Sequence, residues 1–120
     1  MEIQTNAKLM QERITLLQKA RGAIKLLAVS KARAIGAYDR ALAVTIVKLK
    51  NGVEMEMDGV KVLNPQTTIV EKIARGICFI EKINMEEADA LYKAEISNME
   101  AIKSELNGLQ SLNRYIKDQI

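Results

Sequence analysis

Five side chains stand out as able to hold a small anion: Arg21, Lys31, Arg75, Phe79 and Arg114. Arg21 and Lys31 fall where an apolar side chain is expected in an otherwise apolar heptad seam. Three readings are open for them. They lay their aliphatic stems over a core and keep the charge in water, they fix helix register, or they line a cavity that holds an anion. Arg13, Lys25 and Arg33 lie near the same stripe and would extend a basic pocket. Asn113-Arg114-Tyr115 offers an amide, a guanidinium and a ring in succession. A guanidinium stacks on a base and forks onto a phosphate, so Arg114 beside Arg13 or Arg21 would suit a nucleotide. Arg75 and Phe79, the only Phe in the chain, would make a platform for a base. The alternative is that Phe79 is simply core.

Equipment for catalysis is thin. The chain has no His, which removes the commonest general base and metal ligand. Its one cysteine, Cys78, sits in the apolar run Ile77-Cys78-Phe79-Ile80 and reads as a small buried side chain. One cysteine allows no internal disulfide and no thiolate metal cluster. Glu54, Glu56 and Asp58 share one side of an expected strand, either as a hard-cation site or as a solvated face. Glu86, Glu87 and Asp89 sit where acids favour a helix N-terminus. There is no Gly-rich phosphate loop followed by Lys-Ser/Thr and no nucleophile elbow. The expectation is a non-enzymatic protein, with no catalytic residue, cofactor or metal.

These residues must be positioned by helices. Apolar residues recur with alternating four- and three-residue steps from Ile3 to Leu49, through Met10, Ile14, Leu17, Ile24, Ile35, Tyr38 and Leu42, with Arg21 and Lys31 as the charged breaks. Such a repeat keeps one stripe of a helix facing a partner. It predicts a helix over 5–50, capped near Thr5 or Asn6 and stopped by Asn51-Gly52. Residues 53–62 alternate apolar and charged around Asp58-Gly59, which predicts a β-hairpin. Leu63-Asn64-Pro65 ends its second strand. Thr68 and Glu71 fit a capping box for a short helix over 68–80, with Gly76 a candidate C-cap. Asn84 and Glu87 fit a second box, opening a last helix over 84–118 with the stripe Met85, Ala88, Tyr92, Ile96, Met99, Ile102, Leu106 and Leu109. Gly22, Gly36 and Gly108 inside helices suggest close helix-helix approach. The fold expected is mainly α and a single domain over 1–120: a long antiparallel helical hairpin with an inserted β-hairpin and short helix. A first helix longer than the last leaves an apolar overhang, which calls for a homo-oligomer.

The net charge of +3 is unevenly spread. Residues 1–50 carry ten Lys/Arg against three acids, whereas residues 84–120 carry four against seven. A basic helix pairing with an acidic one explains this, and so does an anion attracted to the first helix; the two are compatible. The start Met1-Glu2-Ile3-Gln4-Thr5 lacks a basic, then apolar, leader pattern. No apolar run approaches membrane-spanning length, so a cytoplasmic protein with no membrane partner is expected.

The stretch Ala41-Leu42-Ala43-Val44-Thr45-Ile46-Val47-Lys48-Leu49-Lys50-Asn51-Gly52 resembles small proteins of phages and prophages of Gram-positive bacteria. So do Ile73-Ala74-Arg75-Gly76-Ile77-Cys78 and the segment from Glu105 to Tyr115. The resemblance covers most of the chain and contains no mechanistic motif. It implies a host-cell protein, and some phage proteins of this size and helical make-up are anti-defence sponges. Those directed against Thoeris or CBASS immunity sequester cyclic ADP-ribose or cyclic nucleotide signals without cleaving them. No position of this chain aligns with their ligand residues, so the five candidates rest on physics alone. Two other classes compete. One is a basic helical nucleic-acid-associated protein of a phage replication or recombination module; the other is a coiled-coil protein-binding inhibitor.

Overall fold

A computed structural model describes residues 2–119 and is mainly helical. Its elements run α1 (Ile3–Lys50), β1 (Met55–Met57), β2 (Val60–Val62), a 3-10 turn (Thr67–Ile69), α2 (Val70–Ile77) and α3 (Phe79–Asp118). They pack as two compact units. Val29–Asp89 forms one, and the described residues on either side of it form the other.

In the terminal unit, α1 and α3 run antiparallel. Asn6 meets Leu109, Arg13 meets Glu105 and Leu17 and Ala20 pack on Ile102, so numbering falls on one helix as it rises on the other. Met99 and Leu106 complete this core. Asn6 is no N-cap. The helix starts before it, and its buried side chain donates Nδ2–H to the Leu109 carbonyl at 3.0 Å. The seam also differs by one column. Ile14 and Arg21 are exposed, whereas Arg13 and Ala20 face α3. A single facing helix covers only a narrow stripe, and the small Ala20 suits close approach better than Arg21 would.

In the Val29–Asp89 unit the antiparallel order holds through Lys31 on Asp89, Tyr38 on Lys82 and Thr45 on Cys78. The end of α1 is closed as the Asn-Gly signal predicts. Gly52 takes a left-handed φ of +77°, and its N–H and that of Val53 reach the carbonyls of Leu49 and Lys48. Those two bonds are the Schellman pattern, satisfying carbonyls the helix leaves open. The hairpin pairs Met55 with Val62, Glu56 with Lys61 and Met57 with Val60. Asp58 and Gly59 both have positive φ, the signature of the I′ turn that matches strand twist. Met55 and Val62 pack on the Leu49, Val70 and Ala74 core, together with Leu42, Ile46, Ile73 and Ile77. The hairpin and α2 therefore cover the last turns of α1.

Both expected capping boxes go unused. Thr68 lies inside the 3-10 turn, α2 starts without a side-chain cap, and Glu71 instead accepts from Arg75 at 2.6 Å. Gly76 is not a C-cap but sits inside α2, because a Cβ there would lie 2.6 Å from the Met57 thioether sulfur. The short helix ends at Ile77 rather than residue 80. Cys78 separates the two helices by one residue at φ −91° and ψ 26°, with its buried side chain against Thr45. α3 then begins at Phe79, five residues before the expected start, and Glu86 pairs with Lys82 within the helix. No helix among the described residues is long and apolar enough to cross a membrane.

Gly22 and Gly108 do not mark close helix approach: a Cβ at either meets nothing within 4 Å. Gly22→Ala and Gly108→Ala should each stabilise the fold by about 0.5–1 kcal/mol, because the mobile glycine is replaced where space is open. Gly52→Ala should cost about 1–2 kcal/mol, since alanine resists the left-handed region. Urea unfolding midpoints of the three variants check the opposite signs.

Candidate ligand groove

The described residues include no group of three or more carboxylates or thiols placed to hold a metal ion. The hairpin carboxylates disperse instead: Glu54 faces Lys61 at 3.9 Å, and Glu56 pairs with Lys61 across the strands. The chemistry of interest lies on α1. Within the Val29–Asp89 unit a groove of about 910 Å³ runs along α1 beside the α2–α3 junction. Its floor is low because Gly36, Ala37 and Ala41 carry almost no side chain, and Val44 and Ile77 make one stretch apolar. Arg33 and Arg40 stand over it, seven residues and so two helical turns apart. Neither makes an ion pair or side-chain hydrogen bond with the described residues.

Two further groups set the polar character of the groove. Thr45 Oγ1 and Cys78 Sγ lie 3.4 Å apart and are buried, so each occupies the other. The Cys78 thiol has no base beside it and no exposure, which fits a packed side chain and not a nucleophile. Glu81 lines the opposite wall from α3, half-buried and without a cationic partner. The whole is chemically mixed: an apolar floor, two fork-shaped cations and one carboxylate acceptor. A groove of that kind holds a flat or ring-bearing ligand by its faces, its phosphates by the arginines and its hydroxyl or amino groups by the carboxylate.

The five sequence candidates do not converge. Lys31 is half-buried and bound to Asp89 at 2.9 Å, with side-chain exposures of 30% and 27%. Its place in the seam is thus the register-fixing one. Arg75 is exposed and held by Glu71. Phe79 is 49% exposed, so it is not core, and it does not line the groove. In the terminal unit, Arg13 is taken by Glu105 at 2.5 Å. Arg114 lies nine residues beyond Glu105 on α3, roughly 13 Å along the axis. Arg21 lies eight residues past Arg13 in the other direction. The expected pairing of Arg114 with Arg13 or Arg21 is therefore not formed, because the register spreads the three along the helices.

Of the residues that make the groove, only Arg33 was within reach of sequence reasoning, as a neighbour of the basic stripe. Arg40, Glu81 and the Thr45–Cys78 contact carried no signal in the heptad pattern. The seven-residue step from Arg33 to Arg40, off the seam, is the feature that points to them. No family model matches this chain, and neither a curated protein nor a solved structure is detectably similar to it.

A partly exposed pair such as Lys31–Asp89 contributes modestly. A double-mutant cycle on Lys31→Ala and Asp89→Ala should return about 0.5–1 kcal/mol of coupling. The value should fall in molar salt, where charges are screened within about 3 Å. A coupling of zero at low salt would remove the register role assigned to Lys31.

Proposed function

We propose that this chain is a non-enzymatic binding protein that sequesters a small phosphate-bearing ligand in the Arg33–Arg40 groove. The ligand class is the cyclic nucleotide or cyclic ADP-ribose kind, and the work is that of a phage anti-defence sponge in the host cell. The observation that carries this reading is a pair of unpaired guanidiniums standing over an apolar floor. Arg13 has Glu105, Lys31 has Asp89 and Arg75 has Glu71, while Arg21 and Arg114 do not line this groove. Arg33 and Arg40 keep their hydrogen-bonding forks open to a ligand. A fork fits a phosphate with two parallel bonds, and the small floor lets a ring lie close to the backbone.

What surrounds the proposed ligand position supports capture without turnover. Histidine is missing from the chain, and the hydroxyl and thiol at the end of the groove are buried against each other. Glu81 is a single carboxylate with no second acid in the groove lining. General acid–base cleavage of a phosphodiester calls for a proton donor and an acceptor in place together.

A second reading, a protein-binding inhibitor, draws on the exposed patch of Phe79, Ile80 and Ile83 at the start of α3. Apolar side chains grouped on one turn favour a protein partner over a charged ligand.

Titration calorimetry with a panel of cyclic dinucleotides and cyclic ADP-ribose isomers decides between them. Arg33→Ala and Arg40→Ala should each weaken binding by about 10- to 100-fold, the worth of a charge-assisted hydrogen bond. Arg21→Ala, Arg75→Ala and Arg114→Ala should change it by less than about threefold, the scale of a single distant surface charge. The ligand should be recovered intact by mass spectrometry after incubation. Binding that survives both groove variants would place the site elsewhere, and a chain that binds nothing in the panel would favour the protein-partner reading.

A further inference from the structure

The exposed stripe of α1 in the Val29–Asp89 unit has an order that reads the same in both directions. It runs Val29, Arg33, Gly36, Ala37, Arg40, Val44, with steps of four, three, one, three and four residues. At about 100° per residue these six positions fall within roughly 100° of one another around the helix. All six are exposed, the valines by 49% and 45%. A Cβ added at Gly36 would meet nothing within 4 Å, so the chain itself covers nothing at the midpoint.

A stripe with that order matches itself across a two-fold axis. Laid antiparallel with midpoints superposed, two copies bring Val29 onto Val44 of the second copy and Gly36 onto Ala37 of the second copy. An isologous interface requires this self-complementarity, and small residues at the crossing allow the helix axes to approach. The same superposition sets Arg33 opposite Arg40 of the second copy, twice. Four guanidiniums then surround the axis, with one Glu81 carboxylate per copy in the groove beside them. Two net positive charges are left uncompensated, and like charges at an interface oppose pairing. The stripe from Val29 to Val44 is also only about 22 Å long, short of what a standard interface of roughly 800 Å² per partner uses. Apolar contact alone is too small to hold the copies together, and the arginines push them apart until an anion sits between them.

We propose that this stripe docks a second copy of the chain, antiparallel, around one bound molecule carrying two phosphates. The inference rests on the groove reading above and narrows it: the ligand is a bis-phosphate with approximate two-fold symmetry, and it completes its site only between two chains. A mononucleotide reaches the arginines of one side and leaves the others unneutralised.

The full chain is examined by sedimentation velocity and calorimetry with cyclic di-adenosine monophosphate as probe and adenosine monophosphate as control. The expected result is one dinucleotide per two chains, with chain association tightened at least tenfold by the dinucleotide and unmoved by the mononucleotide. One dinucleotide per chain, with the chain still monomeric, overturns the second copy and leaves the groove reading standing. No binding and no association overturns both. A dimer equally strong without any anion overturns the linkage. Arg33→Glu gives an independent reading, because it removes one of the two guanidiniums that each copy brings to the axis. This variant should lose both dinucleotide binding and dinucleotide-driven association; association still tightened tenfold by the dinucleotide contradicts the pairing around an anion. Geometry is checked by oxidation of cysteine variants in the presence of the dinucleotide. Gly36→Cys, beside the axis, should cross-link, whereas Ser30→Cys, displaced by roughly 20 Å from its copy, should not. Cross-linking at both positions would mean a parallel arrangement, and cross-linking at Ser30 alone a different face; either sinks the proposal.

Discussion

One helix packed along another covers only a narrow stripe, and α1 is 48 residues long. That limit governs the rest of the molecule. A stripe of a/d positions takes two residues in seven, so most of α1 faces water whatever its sequence. The sequence nevertheless supplies apolar or small residues on more than one face. Ile14, Leu16, Leu26, Val29, Ile35, Val44 and Val47 are all exposed. Near its C-terminal end α1 escapes the limit, because the β-hairpin and α2 add a second covering layer over Leu42, Ile46 and Leu49. The largest fully buried side chain, Leu49, lies there for that reason.

A narrow apolar stripe is poor at choosing between registers, since sliding by one heptad replaces one aliphatic contact by another. Polar contacts inside the seam make the choice. In the terminal unit these are Asn6 on the Leu109 carbonyl and Arg13 on Glu105. In the Val29–Asp89 unit they are Lys31 on Asp89, Lys82 over the Tyr38 ring at 5.3 Å and Thr45 on Cys78. A slip of seven residues in either unit would strand a buried amide, hydroxyl or ammonium without its partner. Stranding a buried polar group costs about 1–3 kcal/mol, more than the gain from any one of these contacts. Asn6 already pays part of that cost, because its Oδ1 is buried without a partner.

What could be read in the sequence follows the range of the forces involved. The Asn51-Gly52 stop and the Asp58-Gly59 turn were legible because each depends on φ preferences of two adjacent residues. The helix over α1 was legible from periodicity. The break at Cys78 was not: no Gly or Pro stands at that position, and the Thr45 contact found there joins residues 33 positions apart. The capping boxes at Thr68 and Asn84 misled for the same reason: a local signal competes with packing, and at Phe79–Asn84 nothing local stops a helix that packing has already started. Lys31 was legible as an odd residue in the seam, though not the identity of Asp89 as its partner. Arg33 was legible as a neighbour of the basic stripe, whereas Arg40 was not, because it lies on a face that the heptad pattern does not describe.

The charge asymmetry of the chain gains a structural meaning from this division of faces. From the sequence, a basic first helix and an acidic last one fit both mutual compensation and an anion drawn to the first helix. Only the cations that point at α3 are compensated in that way. Arg13 and Lys31 lie on the covered side and find Glu105 and Asp89. Arg33 and Arg40 lie off that seam and form no ion pair among the described residues, although Glu81 of α3 lines the same groove. An electrostatic match between two helices therefore accounts for register, while the surplus on the outer face is left for something outside the chain. In the proposed function, exposed arginines seven apart over a bare backbone floor act as a discrete anion site, unlike lysines scattered along a helix, because a guanidinium fork binds an anion in two places at once. The helix supplies their spacing and the missing side chains at Gly36 and Ala37 supply the room.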